Sequence, residues 1–257
     1  MTAIMSNKIE IWSFGGGLNS VAIGALIVQG KLPKPDVSVI VDTEREKSAT
    51  WEYLENVIGP ALSSVGVEIH RVKKSEFTIL DLFSGADGNT LLIPTFSNKN
   101  GSVGKLANFC SNEWKQRVRD RYLRSIGITK KLKWIGFCLD EPRRWLRVSD
   151  DPSVRLPLVY DVPMRRRDCE KIVREMGWPP APRSNCWMCP NQGDHEWRDI
   201  KENYPEDFAM AVKMEREIQK TDPFAFLHSS CIPLDHVDFT QEPDLFTRAC
   251  NSGECFI

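Results

Sequence analysis

The stretch Ser13-Phe14-Gly15-Gly16-Gly17-Leu18-Asn19-Ser20 limits the fold most strongly. Before it runs Ile9-Glu10-Ile11-Trp12, an alternating, β-branched segment that reads as a strand. After it runs Val21-Ala22-Ile23-Gly24-Ala25-Leu26-Ile27-Val28, apolar, free of proline and long enough for a buried helix. Strand, glycine turn and helix in this order make an anion site. The glycines let a ligand approach the backbone, and the first-turn N–H groups of the helix face it. Asn19 and Ser20 suit the N-cap and could also bond phosphate oxygens. A plain strand–helix turn is the competing reading, but three consecutive glycines exceed what packing needs. The stretch is neither G-x-G-x-x-G nor a Walker A loop, because no Gly-Lys-Ser/Thr follows.

Further strands are expected over 36–42, 65–72 and 133–137. The first of these runs into Asp42-Thr43-Glu44-Arg45-Glu46, and the last into Asp140-Glu141-Pro142-Arg143-Arg144. Polar strand exits of this kind bind ligands in open α/β sheets. Helices are expected over 48–58, ended or kinked by Gly59-Pro60, over 113–126 with Ser111 as N-cap, and over 168–176 closed by Gly177. The alternation predicts an α/β fold with a doubly wound parallel sheet and right-handed crossovers. Residues 84–108 read as a long loop, and 156–158 as a short extended piece. Composition shifts at Trp178, where Pro179-Pro180-Ala181-Pro182 forms a stiff connector. The expected organisation is a ligand-binding domain over 1–177 and a small helical, cysteine-bearing, metal-binding appendage over 178–257. Helices are expected there near 195–203 and 205–220.

A chain of 257 residues can bury a full core. Its net charge of −1 gives no global pull toward nucleic acid or anionic membrane. No apolar run reaches a membrane span and the N-terminus lacks a signal-peptide pattern, so a cytoplasmic protein with no membrane partner is expected. In that compartment eight cysteines point to metal or redox chemistry rather than disulfides. Cys186 and Cys189 have ligand spacing, with Pro190 directly after, and Cys250 and Cys255 form a second pair. Cys110 precedes a helix start, where the helix dipole would stabilise a thiolate. Four thiolates can hold zinc or a [4Fe–4S] cluster. Cys138, Cys169 and Cys231 read as small buried hydrophobes, and the four histidines show no ligand spacing. Basic residues cluster at Lys115, Arg117, Arg119, Arg121 and Arg124, at Arg143, Arg144 and Arg147, and at Arg165, Arg166 and Arg167. They read as a polyanion clamp, a nucleic-acid groove, or a solvated face laced with salt bridges.

Six segments, in order, resemble the phosphoadenosine phosphosulfate reductase-like branch of the PP-loop (adenine nucleotide alpha hydrolase) superfamily. The similarity is greatest to the short versions carried by bacteriophages and prophages. Residues 13–20 stand where the PP-loop S-G-G-x-D-S stands. Val41-Asp42-Thr43-Glu44-Arg45-Glu46 with Thr50-Trp51-Glu52-Tyr53-Leu54 resembles "ADTG-x-E…T-x-E-Y". Cys110-Ser111-Asn112-Glu113-Trp114-Lys115 resembles "C-T-x-x-x-K", and the segment 136–144 resembles "G-I-x-x-D-E-x-x-R". The segment 182–190 with Glu196-Trp197, and the tail carrying Cys250 and Cys255, resemble the cysteine segments of the phage-type members.

The resemblance implies a PP-loop, Rossmann-like domain over 1–177 that binds ATP, adenylyl sulfate or phosphoadenylyl sulfate, with magnesium in the ATP-splitting members. The implied nucleotide site comprises Ser13, Phe14, Gly15, Gly16, Gly17, Asn19, Ser20, Asp42, Thr43, Glu46, Glu141 and Arg143, with adenine near Phe14 and Asp42-Thr43. Cys110, Cys186 and Cys189, with Cys255 or else Cys250, are the implied ligands of a [4Fe–4S] cluster, zinc being the alternative. Cys255 is otherwise the implied nucleophile, assisted by Lys115 and Arg144. Three departures stand out. Asn19 replaces an acidic residue that supports magnesium, Cys110 is single where adenylyl sulfate reductases have a pair, and the tail lacks Gly-Leu/Ile-His. The implied function is a sulfonucleotide reductase using an external thiol reductant, with a homodimer as the expected assembly. The alternative is ATP-dependent sulfur transfer to, or other modification of, a nucleobase or nucleic acid. A third reading is a non-catalytic nucleotide-binding module with structural zinc.

Overall fold

The computed structural model describes residues 8–84 and 90–240. Cys250 and Cys255, and the roles expected of them, lie outside the described residues. In chain order the elements begin with β1 (Ile9–Ser13), α1 (Leu18–Val28), β2 (Val37–Asp42), α2 (Ser48–Tyr53), α3 (Gly59–Ser63) and β3 (Ile69–Lys73). Four two-residue strands follow: β4 (Phe83–Ser84), β5 (Thr90–Leu91), β6 (Phe96–Ser97) and β7 (Gly104–Lys105). Next come α4 (Arg117–Ser125), β8 (Lys131–Trp134), α5 (Pro142–Trp145), β9 (Val154–Arg155) and α6 (Arg166–Glu175). The described chain closes with α7 (Asp194–Asn203), α8 (Pro205–Thr221) and β10 (Ala225–Phe226).

These elements divide into two compact units, each discontinuous in sequence. Unit 1 holds the described residues up to Glu44, then Ala49–Phe77 and Arg117–Ser184. Unit 2 holds Arg45–Ser48, Thr78–Gln116 and the described residues from Asn185. The boundary expected after residue 177 is thus drawn differently here. The connector 178–184 lies in unit 1, while the segments that leave β2 and β3 enter unit 2.

Unit 1 is built on a five-stranded sheet in the order β3-β2-β1-β8-β9, parallel throughout. Side chains alternate across a strand, so neighbouring apolar residues serve opposite faces. Trp12 and Ile40 join the core with α1, α3 and α6. Ile11 and Val39 join a second core with Val118 and Leu123 of α4. Both faces are therefore covered by helices, as the expected doubly wound α/β sheet requires. The chain steps outward from β1 to β2 and β3, then returns to place β8 on the other side of β1. The order reverses there, so the carboxyl ends of β1 and β8 flank the switch point, where such sheets bind ligands.

Three local expectations are corrected. Gly59-Pro60 does not end the helix begun at Ser48. A π-helical turn, Leu54–Ile58, carries it into α3. Pro60 has no N–H to give to a carbonyl four residues back, and the wider π turn absorbs that gap. Gly59 donates its N–H to Leu54 O, and a Cβ there would meet that oxygen at 2.5 Å. The strand expected over 133–137 is β8, paired over Lys131–Trp134. The segment 156–158 is not extended: Val154–Arg155 pairs as β9, and Pro157–Asp161 forms a second π-helical turn. A two-residue strand has no readable periodicity.

Unit 2 packs α7 and α8 around Trp187, Trp197, Ile200, Ala211, Ile218 and Leu234. Both helices fall where the sequence places them. An antiparallel set β10-β6-β7 and the hairpin β4-β5 complete the unit, so the loop expected over 84–108 carries short strands. Two buried carboxylates anchor loops. Glu215 accepts the N–H groups of Leu227 (2.8 Å) and Leu234 (2.7 Å), and burial holds its carboxyl above the usual range. Asp207 accepts the N–H and the hydroxyl of Ser48, both at 2.9 Å. Among the described residues no helix is long and apolar enough to cross a membrane.

Candidate functional site

The residues expected to carry chemistry fall into two sets, one in each unit. In unit 1 the glycine turn leaves β1 and enters α1. Gly17 is the N-cap, with extended backbone and no side chain to bond the first-turn N–H groups. This corrects the expectation for Asn19 and Ser20, which lie inside the first turn of α1. The turn holds itself by other means: Ser20 Oγ accepts the Gly15 N–H at 3.1 Å, and the Ser184 hydroxyl donates to Gly15 O. Gly16 has φ +77, and a Cβ there would lie 2.6 Å from Thr50. Only glycine fits this position. No acidic residue stands in the first turn of α1, so its N–H groups present a positive end to a ligand.

Asn19 occupies the switch point. Its amide nitrogen donates to Gly136 O at 2.9 Å and to Glu141 Oε2 at 2.8 Å. Glu141 also accepts the Cys138 N–H at 3.2 Å and pairs with Arg144. Gly136 packs against the first turn of α1, where a Cβ would meet Asn19 and Ser20 atoms at 3.5–3.6 Å. The exit of β8 is thereby tied to the start of α1. The Arg144 guanidinium also lies over the Phe137 ring, 4.5 Å from its centroid. Arg143 is exposed on the same short helix.

The other nucleotide residues expected in unit 1 have structural work. Phe14 is buried edge-on to Trp12, with ring centroids 5.3 Å apart, so its ring belongs to the core. Asp42 is buried and accepts from Arg71 Nε (2.9 Å), Arg71 Nη2 (2.7 Å) and the Glu44 N–H (2.6 Å). Its carboxylate shapes a turn in which Glu44 takes φ +60. Thr43 is fully buried. Ser13 Oγ accepts from Arg119 at 3.2 Å.

Unit 2 gathers Cys110, Cys186, Cys189, Lys115 and Glu46. In Cys186-Trp187-Met188-Cys189 the two middle residues are buried in the core of the unit and the two cysteines are half-buried. The Cys189 N–H donates to Cys186 O at 3.0 Å and closes the turn. Cys186 bridges Glu46, and the Trp187 N–H donates to Arg45 O at 2.9 Å, so residues 45–46 and 186–187 run as a short antiparallel pair. Lys115 reaches this group from the π-helical turn Ser111–Gln116 and pairs with Glu46 Oε1 at 2.5 Å. The Glu46 side chain is 2% exposed. Burial pulls the Lys115 ammonium down, but Glu46 and the sulfurs of Cys186 and Cys189 outweigh it and hold it above the ordinary lysine value. It therefore stays charged beside the thiols.

The helix-start expectation for Cys110 is corrected by its surroundings. Burial pushes its thiol up to about 11, Cys189 adds to the rise, and Lys115 and the Ser111 and Cys110 N–H groups oppose it. Desolvation outweighs the helix end. Cys110, Cys186 and Cys189 are not joined in disulfides. Among the described residues no three His, Cys, Asp or Glu side chains form a ready-made metal-ligating group. The donor set nonetheless fits a thiophilic centre: three soft sulfurs sharing one cation that would offset their negative charge once metallated. Cys138, Cys169 and Cys231 are buried, as expected of small hydrophobes. His228 is buried, with Nε2 3.0 Å from Asp194 and Nδ1 2.8 Å from Ser230 Oγ.

No family model and no curated protein matches the chain. Among solved structures it is similar to the U34-tRNA thiolase NcsA from Methanococcus maripaludis with its [4Fe-4S] cluster. Identity is 14%, the TM-score is 0.43, and the match covers 95% of this chain and 80% of that chain.

Proposed function

We propose that the chain is an adenine-nucleotide-dependent enzyme that transfers sulfur to a nucleobase, with Cys110, Cys186 and Cys189 holding an iron–sulfur centre. The observation that carries this reading is the convergence of those three thiols on Lys115, itself locked by buried Glu46. When bound there, such a centre would supply an iron able to hold sulfur. The resemblance to PP-loop enzymes supports the nucleotide half.

In unit 1 the glycine turn and the first N–H groups of α1 would bind the phosphates, and Asn19 and Glu141 would keep the crevice in shape. Arg143 and Arg144 would neutralise the leaving phosphates. A base carbonyl oxygen attacks the α-phosphorus of ATP and pyrophosphate leaves. Hydrosulfide then forms the C–S bond and AMP departs with the former carbonyl oxygen. No electrons are transferred overall. The sulfonucleotide-reductase reading needs a separate nucleophilic thiol, and its candidate, Cys255, lies outside the described residues.

The test uses full-length protein reconstituted without oxygen, ATP, sodium sulfide and bulk RNA. The expected result is pyrophosphate release that requires RNA, with sulfur appearing in the RNA by mass spectrometry. Sulfite release from adenylyl sulfate or phosphoadenylyl sulfate, with no RNA-dependent pyrophosphate, would overturn the reading in favour of a reductase.

A further inference from the structure

We propose that the arginine face of α4 is a docking surface for the phosphate backbone of a nucleic-acid strand. The inference rests on the nucleobase-acceptor reading above and names the surface that holds that acceptor. Arg117, Arg121 and Arg124 stand at i, i+4 and i+7, which puts them on one side of the helix. Val118 and Leu123 of the same helix are buried against the sheet. With Thr129 and Lys131 the arginines line a cavity of about 460 Å³. Arg117 and Arg124 are exposed, and Arg121 is half-buried.

The charge balance of this face favours an anionic ligand. Four cations line the cavity against one carboxylate, Asp120. That carboxylate is already engaged, with Lys131 at 3.0 Å and with Arg119, outside the lining, also at 3.0 Å. Burial would raise its carboxyl, but Arg119 and Lys131 outweigh that and hold it below the usual range. The cations are also held in place. Arg121 donates to Phe77 O at 2.6 Å, and Arg124 Nε to Asp120 O at 3.2 Å. Anchored guanidinium groups lose less freedom when they grip a ligand.

Length selects the ligand. Seven residues of helix advance about 10 Å. That is long for one phosphate and matches about three nucleotides at roughly 3.4 Å per residue of a strand. A chain with net charge −1 has no general attraction for polyanions, so binding must come from a local stripe of this kind.

The test is fluorescence anisotropy of full-length protein with a labelled single-stranded RNA 12-mer between 50 and 200 mM salt, with ATP binding measured in parallel. Wild type is expected to show a log–log salt slope of about −2 to −3, set by up to four phosphate contacts. Arg124→Glu should weaken RNA binding about tenfold and flatten the slope by roughly one, with ATP affinity unchanged. Unchanged RNA affinity and slope would overturn the proposal. So would inorganic phosphate displacing the RNA at concentrations where it merely matches the RNA's phosphate content. If Arg124→Glu loses RNA and ATP binding together, Arg124→Gln decides: a flattened slope with ATP binding retained supports the surface, and anything else refutes it. RNA binding that follows this pattern without RNA-dependent pyrophosphate release would sink the sulfur-transfer reading and leave the surface standing.

Discussion

Cys186→Ser, reconstituted with iron and sulfide in the absence of oxygen, is expected to lose nearly all of the bound iron. The loss should exceed the roughly 10- to 100-fold fall in affinity that follows removal of a mere outer-shell partner. A serine oxygen is a harder and poorer ligand for iron–sulfur iron than a thiolate. The fold should survive, because the turn is anchored by buried Trp187 and Met188 and by backbone bonds to residues 45–46. Cys169→Ser is the control, since Cys169 is buried in the α1–α6 core of unit 1. Iron retained by Cys186→Ser at the control's level would remove Cys186 from the ligand set.

The second large effect is expected from Asn19→Asp, although an acidic residue is what the ATP-splitting PP-loop enzymes carry there. The Asn19 amide donates to Gly136 O and to the Glu141 carboxylate. An aspartate would donate to neither and would set a second negative charge beside Glu141. Losing a hydrogen bond to a charged group costs about 1.5–3 kcal/mol, before like-charge repulsion is counted. Since 1.4 kcal/mol is about tenfold in affinity, ATP binding should fall at least tenfold, with a lower melting temperature. Pairing Asn19→Asp with Glu141→Gln exchanges donor and acceptor and should restore much of the loss. Unimpaired ATP binding by the single variant, or no recovery in the double, would show that the Asn19–Glu141 contact does not shape the site. In this chain the carboxylate at 141 takes the amide proton that Asn19 offers.

What was legible in the sequence follows the range of the forces involved. The glycine turn, the parallel sheet and the helices α7 and α8 are local patterns of period and turn chemistry, and they were readable. So was the buried state of Cys138, Cys169 and Cys231. The Asn19–Glu141 contact spans 122 positions and leaves no local signal. Lys115 is marked by its basic neighbours and by the resemblance, yet its lock on Glu46 joins a π-helical turn to the exit of β2, which only the fold brings together. The resemblance sets adenine near Phe14, and nothing local in the sequence tells that its ring is buried edge-on to Trp12. Cys110 looked activated by a helix start, but burial was invisible in a segment of mixed polarity. The Gly59-Pro60 pair signals an end or a kink, and a single π turn carries the helix through it.

The account rests most on the thiol cluster around Lys115. Iron, acid-labile sulfide and zinc, measured on protein purified without oxygen together with its absorption spectrum, test it directly. The account predicts iron and sulfide in equal proportion, with a broad sulfide-to-iron band in the near-ultraviolet and visible, both lost in Cys186→Ser. Stoichiometric zinc with no sulfide would contradict it and leave Cys110, Cys186 and Cys189 as holders of a structural metal.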